Sequence, residues 1–282
     1  GLPVTIRLLD PPLHEFLPNG EELAVEIAGL QAVNPDSPRI REKEELLRKV
    51  RALSEFNPML GHRGCRLGIT HPEVYAMQAR AVFNAATRLT REGRRVIPEV
   101  EIPLIIDASE FVFLRNLVDQ VAAEVRAETG IEFDYSVGTM IELPRAALLG
   151  DEIAREAEFF SFGTNDLTQT TLGFSRDDAE GKFMHRYLEH KILNDNPFVV
   201  LDRKGVGKLV KMCIELGRGV RPDLLIGICG EHGGEPSSIE FCHQVGMDYV
   251  SCSPYRVPIA RLGAAQARVL NDGLIEKDYG TK

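Results

Sequence analysis

Cysteine is too sparse and too scattered in this chain for a disulfide framework: Cys65, Cys213, Cys229, Cys242 and Cys252 make an odd count with no C-x-x-C pair. That fits reduced thiols in a reducing compartment, most of them small core residues. No apolar run approaches the roughly 20 residues needed to span a bilayer, and there is no signal-like start, so the expectation is an intracellular protein with no membrane partner. The cytoplasm is the expected place, or an organelle if an address segment once preceded the chain. Positive charge is also short. With 33 Lys and Arg against 42 Asp and Glu, the net charge of −9 argues against a nucleic-acid partner. Any anionic ligand then has to be held by a local cluster of Arg or Lys. His14, His71, His185, His190 and His243 have no metal-ligand spacing, and His62 and His232 lie in glycine-rich turns where a lone His is usually a structural hydrogen-bonder.

What is present is an ordinary globular balance, 282 residues of which 44% are hydrophobic and 27% charged, enough for one large α/β domain or two smaller ones. Extended and helical patterns alternate. Strands are expected at 4–7, 96–106, 136–141, 158–162, 224–229 and 249–252. Helices are expected at 41–56, 107–129 (closed by Gly130), 145–157, 205–216 (ended by Gly217), 236–245 and 258–270. A capping box at Thr70 and Glu73 is expected to open another helix, and 175–181 reads as a polar loop, with Lys182 and Arg186 solvated beside Asp177 and Asp178. Repeated βα units with no adjacent strands imply a parallel sheet covered by helices. A (β/α)8 barrel needs eight strands and six are counted, so either the sheet is open or two strands are missing. The chain begins at Gly1 and enters a strand almost at once, which favours a barrel whose first two strands are missing from a longer protein.

Four of these strands end in a chemically useful residue: Arg7, Glu142, Cys229, and the Gly163-Thr164-Asn165-Asp166 turn. In parallel α/β proteins ligands sit at carboxyl strand ends, so four such endings in one chain point to a single site. Glu142 and Asp166 can hold a hard divalent cation such as Mg²⁺, or they can cap the following helices and pair with surface Arg. Arg7 and Arg63 suit bidentate contact with phosphate or carboxylate, although surface ion pairs are commoner, and the glycines flanking Arg63 let backbone approach a ligand. Gly163, Thr164 and Asn165 stand at a strand-to-helix turn whose N–H groups can receive an anion. Cys229 is either buried packing or a proton donor facing the mouth.

The segments TIRLLDPPLHEF (5–16), NPMLGHRGCR (57–66), GTMIELPRAA (138–147), FFSFGTNDLTQ (159–169), GFSRDD (173–178), GICGEHGGEPSS (227–238) and VSCSPYRVPIAR (250–261) cover nearly the whole chain. Together they resemble the carboxyl-terminal phosphoenolpyruvate (PEP)/pyruvate-binding domain of the pyruvate, phosphate dikinases, in the PEP-utilising enzyme family. PEP synthase and the sugar-phosphotransferase enzyme I share the Gly-Thr-Asn-Asp segment but match less well at 10–16 and 230–234. The resemblance implies one PEP/pyruvate-binding (β/α)8 (TIM) barrel domain over 1–282, truncated at its amino end. It implies a part in the reaction ATP + pyruvate + phosphate = AMP + PEP + diphosphate, with Mg²⁺ as cofactor. On the family's motif positions, Glu142 and Asp166 are metal ligands, Arg7 and Arg63 phosphoryl-binding residues, Gly163, Thr164 and Asn165 substrate contacts, and Cys229 the proton donor and acceptor.

The implied partners are pyruvate or PEP, a phosphohistidine domain of the same parent chain, and a second copy in a homodimer. No lysine-bearing phosphate loop and no matching His occur here, so the nucleotide and phosphohistidine domains are absent and this chain alone is expected not to run the full reaction. Two rivals stay open: a Mg²⁺-enolate aldolase or lyase of small keto acids, which needs neither the arginines nor the thiol, and a non-catalytic dimerisation module.

Overall fold

The computed structural model of this chain describes residues 2–271, apart from the side chains of Leu13 and His14, so the ends of the single domain expected over 1–282 lie outside it. Six strands, β1 (Val4–Arg7), β2 (Pro98–Ile102), β3 (Ser136–Ile141), β4 (Phe159–Gly163), β5 (Leu225–Cys229) and β6 (Tyr249–Val250), form one sheet. Every neighbouring pair is parallel, and the spatial order equals the chain order. Among the described residues β1 pairs only with β2, and β6 only with β5, so the sheet is an open parallel arc of six strands, the number counted from the sequence, and not a complete (β/α)8 barrel.

Helices fill the connections. The first carries α1 (Gly20–Val33), α2 (Pro38–Leu53), α3 (Cys65–Thr70) and α4 (Pro72–Arg91). Then come α5 (Ala108–Thr129), α6 (Pro144–Leu148), α7 (Gly150–Ala154), α8 (Thr164–Leu172), α9 (Arg176–Lys182), α10 (Met184–Glu189), α11 (Val206–Val220), α12 (Pro236–Gln244) and α13 (Val257–Asn271). Crossovers between parallel neighbours take the right-handed path, and a constant chain order then stacks their helices on one face. The packing follows: Val100, Ile102, Val137, Ile141, Phe160, Phe162, Ile226 and Ile228 share one buried cluster with Phe83 of α4, Phe111 of α5, Val210 of α11 and Phe241 of α12. Residues one position away, among them Glu101, Met140, Gly163 and Cys229, face the other side because strand side chains alternate. The α1–α2 pair has a small core of its own, Leu23, Ile27, Ile40, Leu47 and Val50.

Several expected boundaries move, each for a local reason. The strand expected at 96–106 stops at Ile102, because Pro103 has no N–H for the ladder and Leu104 turns to φ +63°. The capping box at Thr70 does not form: Thr70 closes α3, its hydroxyl donates to the Arg66 and Leu67 carbonyls, and Pro72 opens α4. The polar loop at 175–181 is the helix α9, where Ser175 accepts from Asp178 N and two acidic residues sit in the first turn. The helix expected at 145–157 breaks into α6 and α7. Gly130 does close α5 in the left-handed conformation, φ +66°.

Gly217 does not end α11, which runs to Val220. A Cβ there would stand 2.9 Å from Leu224 Cδ2 and 3.2 Å from Phe160 Cε2, so this glycine is a packing residue, whereas Gly219 has open space around it. Gly219→Ala should therefore stabilise by about 0.5–1 kcal/mol through helix propensity, while Gly217→Ala should give no gain. Urea unfolding midpoints of the two variants check this.

Candidate active site

The carboxyl ends of β1, β3, β4 and β5 open into a cleft of about 540 Å³. Arg7, Arg63, Glu142, Gly163, Thr164, Asn165, Asp166 and Cys229 all line it, so the eight residues singled out from the sequence stand around one space. It is also lined by Asp10, Glu101 and Met140, which sequence reasoning passed over.

Asp10 is the largest of these omissions. It follows β1 and accepts from Arg63 Nε at 3.2 Å and Nη2 at 2.6 Å, a bidentate pair with both side chains almost wholly buried. The same Nη2 donates to Asp166 Oδ2 at 3.1 Å, and Arg7 Nη1 lies 3.4 Å from Asp10 Oδ2. One guanidinium thus ties the loop after β1 to the turn after β4. Burial works against its charge, yet the hydrogen bond with Asp10 and the Asp166 carboxylate raise the Arg63 pKa overall. The signal was available: Asp10 lies within the 5–16 segment, three residues after Arg7, just before the two prolines that end the strand's exit.

Asp10, Glu142 and Asp166 each offer an oxygen within 4.8 Å of the others. Glu142 is 1% exposed; its Oε1 accepts from Leu104 N at 2.6 Å, and its Oε2 has no hydrogen-bond partner. Burial first, then Asp166 and Asp10, push its pKa well up. An orphaned buried oxygen among three carboxylates fits an oxygen-seeking dication, which would reverse that shift.

The backbone is shaped around these groups. Leu104 holds an unfavourable positive φ, which aims its N–H at Glu142. Gly64, at φ +58°, has no room for a Cβ, which would stand 2.7 Å from Leu104 Cβ and 2.9 Å from Asp10 Oδ1. At Gly163 a Cβ would stand 2.7 Å from Met140 Sδ and 2.8 Å from Glu142 Oε2. Neither position accepts a side chain without moving a carboxylate.

Beyond the acidic cluster, Thr164 is fully buried and its hydroxyl lies 2.6 Å from His232 Nδ1. His232 Nε2 lies 2.9 Å from the Pro197 carbonyl, which must be accepting from an Nε2–H, so Nδ1 accepts from Thr164. His232 is the structural hydrogen-bonder its glycine-rich context suggested. Arg176 holds Asn165 Oδ1 at 3.4 Å and pairs with Glu231 at 2.9 Å.

Cys229 ends β5, half-buried, and burial first, then Glu101, push its thiol up to about 12 against the opposing effects of Ser161 and Arg7. It is a thiol at neutral pH. Among the other cysteines, Cys65, Cys213 and Cys242 are buried, and Cys65 donates to the Leu104 carbonyl at 3.2 Å. Glu101 on β2 is 3% exposed, and burial raises it to about 7 despite Arg7 and Ser161.

Asp10→Ala should cost about 3–5 kcal/mol, because it leaves the Arg63 charge buried with half its compensation. Chemical denaturation checks it. Glu101 predicts a pH effect of defined sign. Its carboxyl holds a proton more tightly folded than unfolded, so its contribution is favourable below pH 4.5 and is lost as pH rises through about 7. Relative to the parent, Glu101→Gln should gain on the order of 3 kcal/mol between pH 4.5 and 8. Unfolding curves at the two pH values measure the difference.

Comparison with known proteins adds a family. A family model described as PEP-utilising enzyme, PEP-binding domain, matches residues 1–269. The chain is 58% identical over 271 residues to the chloroplastic pyruvate, phosphate dikinase of Flaveria pringlei, covering 95% of this chain and 27% of that protein. It is 55% identical over 272 residues to the pyruvate, phosphate dikinase of Clostridium symbiosum, covering 96% and 30%. It is 54% identical over 270 residues to that of Entamoeba histolytica, covering 95% and 30%. It thus spans under a third of the length of these relatives.

Proposed function

Since the chain belongs to the PEP-utilising enzymes, by way of their PEP-binding domain, we propose that its cleft binds pyruvate and PEP and carries the pyruvate-phosphorylating half of a pyruvate, phosphate dikinase reaction. The observation that carries the reading is the meeting of three acidic side chains, Arg7 and a protonated thiol in one cleft. Family membership supports the substrate class, and the names of the relatives at 54–58% identity support the reaction.

Asp10, Glu142 and Asp166 would hold a divalent cation, and their all-oxygen donor set suits Mg²⁺ as one of the hard cations that carboxylates bind. Bound there, it supplies Lewis-acid stabilisation of the charge that develops on the substrate oxygen. Arg7, with its side chain 43% accessible, is the cation placed to meet an incoming phosphoryl group. Arg63 has its donors on Asp10, Asp166 and the Met59 carbonyl, so it holds the acidic residues in place and adds positive charge behind them. The first N–H groups of α8 at Thr164 and Asn165 receive the substrate carboxylate, and Arg176 orients the Asn165 amide. Gly163 leaves room for that approach. Cys229 Sγ gives a proton to the methylene carbon as pyruvate forms and takes one from the methyl group in the other direction. Its high pKa suits the task, since a thiol that stayed ionised could not donate.

The phosphoryl group would arrive on a histidine of another domain of the same parent protein, and a second copy would complete a dimer. The sequential parallel order and the edges of β1 and β6, unpaired among the described residues, support a sheet that two further strands close into a (β/α)8 barrel.

Calorimetry of the full-length protein should show oxalate, an enolate mimic, binding only with Mg²⁺ present, and not at all after Glu142→Ala or Asp166→Ala. Cys229→Ala should keep oxalate binding while losing at least about 100-fold in exchange of the pyruvate methyl hydrogens with D₂O, followed by NMR. Oxalate binding that ignores both the cation and the two carboxylates would refute the proposal.

A further inference from the structure

Two of the three carboxylates in the cleft are placed by short stretches of backbone that have already left the sheet. The ladder between β1 and β2 ends where Leu8 N donates to the Glu101 carbonyl at 2.9 Å, so Leu9 and Asp10 lie beyond it. Pro103 and Leu104 likewise follow the end of β2, and Leu104 N is the donor to Glu142 Oε1. Backbone outside a ladder keeps a fixed direction only if other groups hold its N–H and C=O.

Those groups come from α3 and α4. Tyr75 and Gln78, three apart on one face of α4, take both polar groups of Leu9. The Tyr75 hydroxyl donates to the Leu9 carbonyl at 2.9 Å, and Gln78 Oε1 accepts from Leu9 N at 2.8 Å. The Leu9 carbonyl belongs to the peptide that joins Leu9 to Asp10, so the phenol fixes the plane from which Asp10 departs. Cys65, the first residue of α3, does the same beside Glu142: its N–H donates to the Pro103 carbonyl at 3.1 Å and its thiol to the Leu104 carbonyl at 3.2 Å. The Pro103 carbonyl and the Leu104 N–H are opposite ends of one planar trans peptide. Holding that carbonyl toward Cys65 therefore turns the N–H away from α3 and onto Glu142. Leu104 sits at φ +63°, and a strained residue persists only where its surroundings over-determine it. The two helices are themselves pressed together. A Cβ on Gly68 of α3 would stand 2.6 Å from the Tyr75 ring, and Cys65 and Tyr75 are wholly buried.

We propose that Cys65, Tyr75 and Gln78 are positioning residues of the cation site: by holding the peptides next to Glu142 and Asp10, they set the spacing of two of its three carboxylates. This rests on the reading of Asp10, Glu142 and Asp166 as cation ligands. A buried phenol needs an acceptor wherever it lies, and that need accounts for one bond. It gives no reason for three side chains of one helical pair to end on the two backbone stretches that lead into the same acidic cluster. A small dication supplies the reason, because it demands near-ideal geometry from its oxygens and so registers small displacements of a ligand. None of the three side chains lines the cleft, so their influence on the ion passes through the backbone they hold.

The test is titration of the full-length protein with Mn²⁺, an oxygen-seeking stand-in read by electron paramagnetic resonance, with Glu142→Ala as the blank for ions bound elsewhere. Tyr75→Phe, Gln78→Met and Cys65→Ala should each weaken Mn²⁺ binding at this site by about tenfold or more, and Cys65→Ser, which keeps a donor, should return to within about threefold of the parent. Urea unfolding of the same variants separates positioning from packing. Variants that lose stability yet bind Mn²⁺ like the parent show a purely structural role, and that outcome overturns the proposal. If Glu142→Ala binds Mn²⁺ as the parent does, the cation reading fails and the positioning role fails with it. If Glu142→Ala loses the ion while the three variants keep the parent affinity, the positioning role alone is refuted. Should Cys65→Ala or Gln78→Met not fold, Tyr75→Phe, which deletes a single oxygen, decides.

Discussion

Compensation of buried negative charge organises this molecule. Asp10, Glu142 and Asp166 lie close enough for one ion to bridge them, and such a group of carboxylates can be held only if something opposes its charge. Arg63 does so from behind, with one nitrogen shared between Asp10 and Asp166, and Leu104 N does so from the side. Each device dictates something further away. Arg63 reaches its place because Gly64 lets the chain turn against Asp10 and Leu104, and Leu104 N reaches Glu142 through a strained backbone that begins where Pro103 ends β2. The loops at the cleft are therefore positioned by electrostatics, and the sheet beneath them by apolar burial.

That division runs through the sheet. One side is a continuous apolar cluster against helices, and it needs only hydrophobic residues at alternate positions. The other side carries Glu101, Ser161, Met140, Gly163 and Cys229, an interior that is partly polar and closely filled. Gly227 illustrates the filling: a Cβ there would fall within 2.4 Å of the Tyr249 ring, so the small residue on β5 exists to admit the large one on β6. Polar groups in such a layer are expensive unless paired, and Glu101 and Glu142 each keep one buried oxygen without a hydrogen-bond partner.

How much could be read beforehand varied with the range of the interaction. The spans of β1 and β3 agree with the sequence reading to the residue, and Gly130 closes α5, because alternation and a left-handed cap are local properties. Gly217 misled because a glycine required for close packing against Phe160 and Leu224 looks, in one dimension, like a helix stop. Thr70 and Glu73 have capping-box spacing, yet the preceding short helix α3 had already taken Thr70. The helix α1 went unread, since its apolar face meets only the small core shared with α2. Asp10 and Glu101 were visible as letters, but nothing near them in the chain announces a buried carboxylate.

The sequence by itself determined the alternating βα order, the apolar strands and the chemically useful residues at their ends, because backbone conformation and side-chain alternation are set by neighbours a few positions apart. Only the tertiary structure decided that Asp10, Arg63 and Asp166 share one ion-pair network and that Glu101 lies buried beside the thiol. Those relations join residues tens to more than a hundred positions apart in the chain, and their energies depend on burial and distance, which exist only once the sheet has formed.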